Sequence, residues 1–288
     1  DVANIVYPLV FGSVTVLGLP LNAFSLWILL RRHSINSPSA VYMVNLAISD
    51  LLLVISLPMR IYFYATCTWP LDHQACIWIM MLFHNNIRSS SIFITFICVD
   101  RLLAVVYPLR SRHLRSSSRA WKAAGLVWLC VVIVNVPESV SFSKFLNNSG
   151  KKACFEFNPP PLTQSIDYLQ PVLVLTMLAI NILCTTMVSW TLCRHLSPSV
   201  MVNNKVNVML LFIMNLVMFT LFFLPVSLVN VVDSWKPFST ALLCLASVNC
   251  CLDPLLYYFS FDGFWKKKEE SSLSLQRITG IKKQKQRI

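Results

Sequence analysis

The sequence predicts an all-α membrane protein, a bundle of seven transmembrane helices with its N-terminus outside the cell. Three observations predict it. Hydrophobic residues make up 56% of the 288-residue chain and charged residues only 12%, about half the charged share of a soluble domain. Seven apolar stretches are each long enough to cross a bilayer, which takes about 20 residues. The basic residues gather on one side of those stretches. With so few charges the formal balance of +12 reads as membrane-surface charge, and a nucleic-acid partner is not expected.

The spans run over 4–30, 39–66, 75–106, 120–142, 168–193, 206–232 and 238–261. The first, fifth and sixth hold no Asp, Glu, Lys or Arg, and the second and seventh hold one acid each, Asp50 and Asp253. Backbone groups cannot stay unpaired in lipid, so each span is a helix. Pro20, Pro58, Pro137, Pro171, Pro225 and Pro254 lie inside spans, where local kinks are tolerated. The chain begins at Asp1 without a signal pattern, so a further N-terminal stretch is expected to precede it.

One face of the membrane collects Arg31 and Arg32, then Arg101, Arg110, Arg112, Arg115, Arg119 and Lys122. Arg194, Lys205 and the basic tail from Lys266 to Arg287 join them. The positive-inside rule makes that face cytoplasmic. Cys76 then opens the third span on the outside, and Cys154 lies in the second outside loop. Both meet an oxidising compartment, so a disulfide between them is expected. Cys67 is left over, either free or paired with a cysteine upstream of this chain. Asn147-Asn148-Ser149 is a glycosylation sequon on the outer side, with Asn147 as acceptor.

Short motifs recur at matching depths. The first span has "GLPLN" with Asn22, and the second has "NLAISD" with Asp50. The third runs from Cys76 to Asp100-Arg101-Leu102, and the fourth carries Trp128. The sixth has "FTLFFLP", with Phe219, Phe223 and Pro225. The seventh has "NCCLDPLLYYF", with Asp253, Pro254 and Tyr257. In that order they resemble the rhodopsin-like (class A) G-protein-coupled receptors over nearly the whole chain. The resemblance implies a plasma-membrane, multi-pass receptor without catalytic residues. It implies a receptor domain at 1–261 and a cytoplasmic tail at 262–288 that opens with a short amphipathic helix. Its partners would be a heterotrimeric G protein and arrestin.

The resemblance also assigns roles. Arg101, held at rest by Asp100, would meet the G protein when the sixth helix swings out. Phe219, Phe223, Pro225, Pro254 and Tyr257 would belong to the same switch. Asp50, Asn86, Ser90, Asn249 and Asp253 would converge in mid-bundle, where two carboxylates repel unless one is protonated or a cation lies between them. A sodium ion is the expected cation, and no other cofactor is expected. Water-mediated hydrogen bonding among these groups is the alternative. The chain departs from the pattern in three places. Leu102 stands where tyrosine is usual, Lys205 stands where some relatives have an acid, and the fifth span lacks the usual mid-helix proline and the tyrosine two turns after it.

Other functions of such chains are less compatible. Intramembrane aspartyl proteases also use two buried aspartates, but "AISDLL" and "CCLDPL" lack their flanking glycines. An opsin needs a lysine in the seventh span, and 238–261 has none. Transporters often repeat their halves, and no repeat is visible. A non-signalling receptor of the same fold stays open.

For the ligand, the third span has no acid between Cys76 and Ser91, which argues against a cationic amine. The outer face is basic instead, with Arg60, Lys144, Lys151, Lys152 and Lys236 and with His73 nearby, which suits an anion and phosphate in particular. Arg60, Tyr64, His84, Arg88 and Lys236 are the candidate ligand-binding residues. "SLPMRIYFY" and "SVNCCLDPLLYYF" resemble the branch that holds purine-nucleotide, protease-activated and lysophospholipid receptors. An anionic lipid is therefore expected, its head near Arg60 and Lys236 and its acyl chain along the third to fifth spans. A nucleotide, a small carboxylate or no ligand at all are the alternatives. Arg88 lies about 18 Å along its helix from Cys76. An unpaired charge at mid-bilayer costs about 2.5–3.5 kcal/mol. Either Glu138 of the fourth span pairs with it, or it anchors a deeply bound anionic head.

Overall fold

A computed structural model describes residues 3–31, 36–113, 115–149, 154–155, 168–195, 202–229 and 231–258. Seven helices in it are long and apolar enough to cross a membrane. We label them α1 (Ala3–Arg31), α2 (Pro38–Thr66), α3 (His73–Val106), α4 (Ser117–Ser149) and α5 (Leu169–His195). Then come α6 (Val202–Met218, continuing through Phe219–Phe223 and Leu224–Leu228) and α7 (Asp233–Tyr258). The expected amphipathic helix of the tail lies outside the described residues.

Local chemistry sets several ends. Ser37 caps α2 by accepting the amide N–H of Ala40, with Pro38 in the first turn, where its missing N–H costs nothing. Asp72 does the same for α3 through Ala75 at 2.8 Å. Cys67 closes α2 in a left-handed conformation, φ 53°.

α7 begins at Asp233, five residues before its expected start at 238, and two further helices differ from their sequence-based ranges for visible reasons. Expected over 120–142, α4 runs on to Ser149. Phe142, Phe145 and Leu146 recur at helical spacing there and pack on Trp69, Cys76 and Phe155. Expected to reach 232, α6 ends at Leu228 and contains a π turn at Phe219–Phe223. That turn lies just before Pro225, which cannot donate a backbone bond.

Burial orders the bundle. In α2, 72% of the most apolar window is buried, against 22% in α1 and 17% in α4, so α2 is central and the other two face lipid. α3 packs on α2, α4 and α5. Gly18 lets α1 close onto its neighbours, because a Cβ there would meet Cys250 Sγ at 3.1 Å and Val54 at 3.2 Å. Across that contact Asn22 Nδ2 donates to the Cys250 carbonyl at 2.7 Å. On the outer side Cys76 and Cys154 form a disulfide, which fixes the second outer loop to the start of α3.

Candidate ligand site and switch residues

Arg60, from the last two turns of α2, is fully buried. Its guanidinium lies 4.8 Å from the Phe83 ring centroid and 4.6 Å from that of Phe155. Nη2 donates to Met80 Sδ at 3.3 Å. No carboxylate among the described residues forms an ion pair with it. Tyr64 is its neighbour one turn on and stacks against Phe11 and Phe155. The disulfide sets this arrangement, since Phe155 follows Cys154. A buried charge without a counter-charge is costly, and cation–π contacts of about 2 kcal/mol when desolvated offset only part of it. Lys236 is engaged elsewhere, exposed and paired with Asp233 at 2.6 Å.

Arg88 and His84 point toward α4 instead. Arg88 forms an ion pair with Glu138 and donates to Asn135 Oδ1 at 3.0 Å. His84 Nδ1 lies 3.7 Å from the other oxygen of Glu138. Asn135 in turn donates to Asn85. The mid-membrane arginine thus sits in a polar network spanning α3 and α4. Asn135 and Asn85 were not singled out in the sequence, although Asn135 lies three residues before Glu138, on the same helix face.

The five mid-bundle residues gather into one polar region. Asn86 Nδ2 donates to Asp50 Oδ1 at 2.9 Å and to Ser90 Oγ at 3.2 Å. Asn249 Nδ2 donates to Asp253 Oδ2 at 3.1 Å. Asp50 and Asp253 are neighbours, and Ser49 joins them by hydrogen bonds with Ser89, Ser90 and Asn86. Asp50 Oδ2, Asp253 Oδ1, Asn249 Oδ1 and Asn22 Oδ1 are all buried without a hydrogen-bond donor. Oxygens of this kind suit a hard cation.

At the cytoplasmic end, Asp100 is buried. Arg115 grips it with Nε to Oδ1 at 2.7 Å and Nη2 to Oδ2 at 3.0 Å, and Ser39 donates to it as well. Those bonds hold the Arg115 guanidinium above its ordinary pKa. Arg101 is half-buried, its Nε out of solvent. Phe219 and Phe223 pack edge to face in the π turn of α6. Tyr257 is buried in α7, beside Pro254 by one turn. Asn147 is exposed at the outer end of α4.

Residues 21–257 match the family described as "7 transmembrane receptor (rhodopsin family)". The chain belongs to this family. Human lysophosphatidic acid receptor 6 is 32% identical over 94% of this receptor and 85% of its own length. Mouse lysophosphatidic acid receptor 5 is 34% identical over 88% and 74%. A mouse purinoceptor, number 6 of its series, is 30% identical over 97% and 90%. The protein is therefore a multi-pass plasma-membrane receptor of the G-protein-coupled type, and not an enzyme.

Proposed function

We propose that this receptor responds to an anionic lipid of the lysophospholipid class. The observation that carries the reading is Arg60, a fully buried guanidinium with no carboxylate on it among the described residues. A phosphate monoester offers the charge and the paired oxygens that a guanidinium fits. In this reading the head displaces Phe155 from Arg60, with Tyr64 beside it and Lys236 at the rim, and the acyl chain runs along α3 to α5. His84 and Arg88 border that chain and hold α4 to α3. Relatives named as lysophosphatidic acid receptors support the same ligand class.

Transmission follows the switch residues. Ligand binding shifts α6 about its π turn and Pro225, Arg101 becomes available to a heterotrimeric G protein, and arrestin binds the same cytoplasmic face. Asp50, Asp253, Asn86, Ser90 and Asn249 would hold a sodium ion, which would supply a positive charge to offset the repulsion of the two neighbouring carboxylates.

The test is G-protein activation in cells displaying the receptor, against lysophosphatidic acid, other lysophospholipids, nucleotides and fatty acids. Lysophosphatidic acid should activate the parent. Arg60→Gln should reach the surface and need at least about thirtyfold more of it, the lower end of what truncating one partner of a buried charge pair costs. Activation by nucleotides alone would favour the relative named as a purinoceptor and overturn the lipid reading.

A further inference from the structure

Asn215 is fully buried in α6, and neither its Nδ2 nor its Oδ1 has a hydrogen-bond partner. An amide carries two donors and two acceptor sites, and leaving them buried and unmade disfavours the arrangement that does so. Its one polar contact among the described residues is with the thiol of Cys98 on α3, which also meets Cys184 of α5. A thiol is only a weak donor and a weak acceptor, so the contact replaces little of what the amide lost on burial. One turn along α3 from Cys98, Thr95 accepts a 2.8 Å bond from Asn181 Nδ2 of α5. Asn181 is itself fully buried, and its Oδ1 is unpaired too. The α6 amide and the α5 amide thus meet α3 at Cys98 and Thr95, positions one helical turn apart on it.

The helix that carries Asn215 has a joint immediately above it. Four residues on, the π turn Phe219–Phe223 begins, closed by the Leu224 N–H on the Phe219 carbonyl. Pro225 follows and gives no backbone bond to Leu221. Helix segments on either side of such a joint can turn relative to one another more easily than within a regular helix. The amide therefore sits on the cytoplasmic side of that joint, against Cys98 of α3.

We propose that Asn215 is a positioning residue of the receptor's switch. When the cytoplasmic part of α6 turns about the joint, its Nδ2 donates to Asn181 Oδ1, and this new bond stabilises the G-protein-binding arrangement. The structure described leaves both amides short of bonds, which is the resting side of the proposed exchange. The inference rests on the protein coupling to a G protein but not on its ligand being a lysophospholipid.

The experiment measures the affinity of the purified receptor for nucleotide-free heterotrimeric G protein, and the thermal midpoint of the receptor alone. It compares the parent with Asn215→Leu, Asn181→Leu and the double variant, and no ligand is added. Asn215→Leu should raise the midpoint, because an apolar side chain replaces an unpaired amide, and should weaken G-protein binding by the order of tenfold. Asn181→Leu should weaken it to a similar degree. The double variant should be no weaker than either single one, since both remove the same bond. If Asn215→Leu binds the G protein as tightly as the parent, or if the two losses multiply, the proposal fails. A lowered midpoint for Asn215→Leu would also overturn it, by showing that the amide is already satisfied in the resting receptor.

Discussion

Replacing Arg88 by glutamine should cost the receptor stability before it costs potency. The side chain is 5% exposed and its partner Glu138 is 14% exposed, so removal strands a carboxylate in a largely dry interface. Breaking a buried pair on one side costs about 3–5 kcal/mol. Glu138 keeps some access to water and retains His84 at 3.7 Å, which places the loss near the lower end, about 3 kcal/mol. At 1.36 kcal/mol per decade that is roughly a 150-fold shift toward the unfolded form. Glu138→Gln should lose stability in the same way. The reversed pair, Arg88→Glu with Glu138→Arg, should recover part of it. An apolar pair, Arg88→Met with Glu138→Leu, should be near neutral, because both desolvation costs vanish together. Surface copies per cell and the thermal midpoint of detergent-extracted receptor read this out, and a lysophosphatidic acid dose–response separates stability from potency. An Arg88→Gln receptor with normal surface abundance and midpoint but weakened potency, beside an unaffected Glu138→Gln, would refute the reasoning and make Arg88 a ligand anchor.

Other substitutions test other parts of the reading. Cys76→Ser or Cys154→Ser should strongly reduce surface expression, counted by antibody on intact cells, because the loop that places Phe155 over Arg60 is then untied; unchanged counts would remove that role from the disulfide. Arg101→Ala should abolish nucleotide exchange on the G protein at parental surface levels, and undiminished exchange would place the coupling elsewhere. Replacing choline in the buffer by sodium should lower basal exchange of the parent and leave Asp50→Asn unchanged. Equal sodium sensitivity of the two would remove the ion from that site.

The number of helices and their order were legible because lipid imposes one signal, a long apolar run, on every span. The same uniformity hides where a helix stops outside the lipid. The last two turns of α4 are amphipathic and depend on Phe142 and Leu146 finding Trp69 and Phe155, residues far away in the sequence. Asp50, Arg60 and Arg88 stood out because a charge in an apolar span is expensive. Asn135, Asn181 and Asn215 did not, since an amide costs less and occurs often in such helices. Only the contacts separate Asn135, which has partners on both atoms, from Asn215, which has at most a thiol beside it.

Asp100 shows what a motif leaves out. The adjacent pair Asp100-Arg101 invites the reading that the acid holds its neighbour, and the two charges do attract, but side chains one residue apart on a helix also diverge by about 100°. That divergence turns the carboxylate toward α2 and the loop before α4. Arg115 meets it there with two charge-assisted bonds and Ser39 with a third. Arg115 lies fifteen residues on, past the 3₁₀ turn Ser111–His113, and only the folding of that turn brings it back. The turn is fixed by Ser111, whose hydroxyl donates to the Leu103 carbonyl at 3.1 Å and whose own carbonyl accepts the Arg115 N–H at 2.9 Å. The hold on Asp100 therefore depends on the fold of a cytoplasmic loop as well as on the helix that carries it. That loop lies on the face where a G protein binds, and a change in its fold would reach the acid before it reached Arg101.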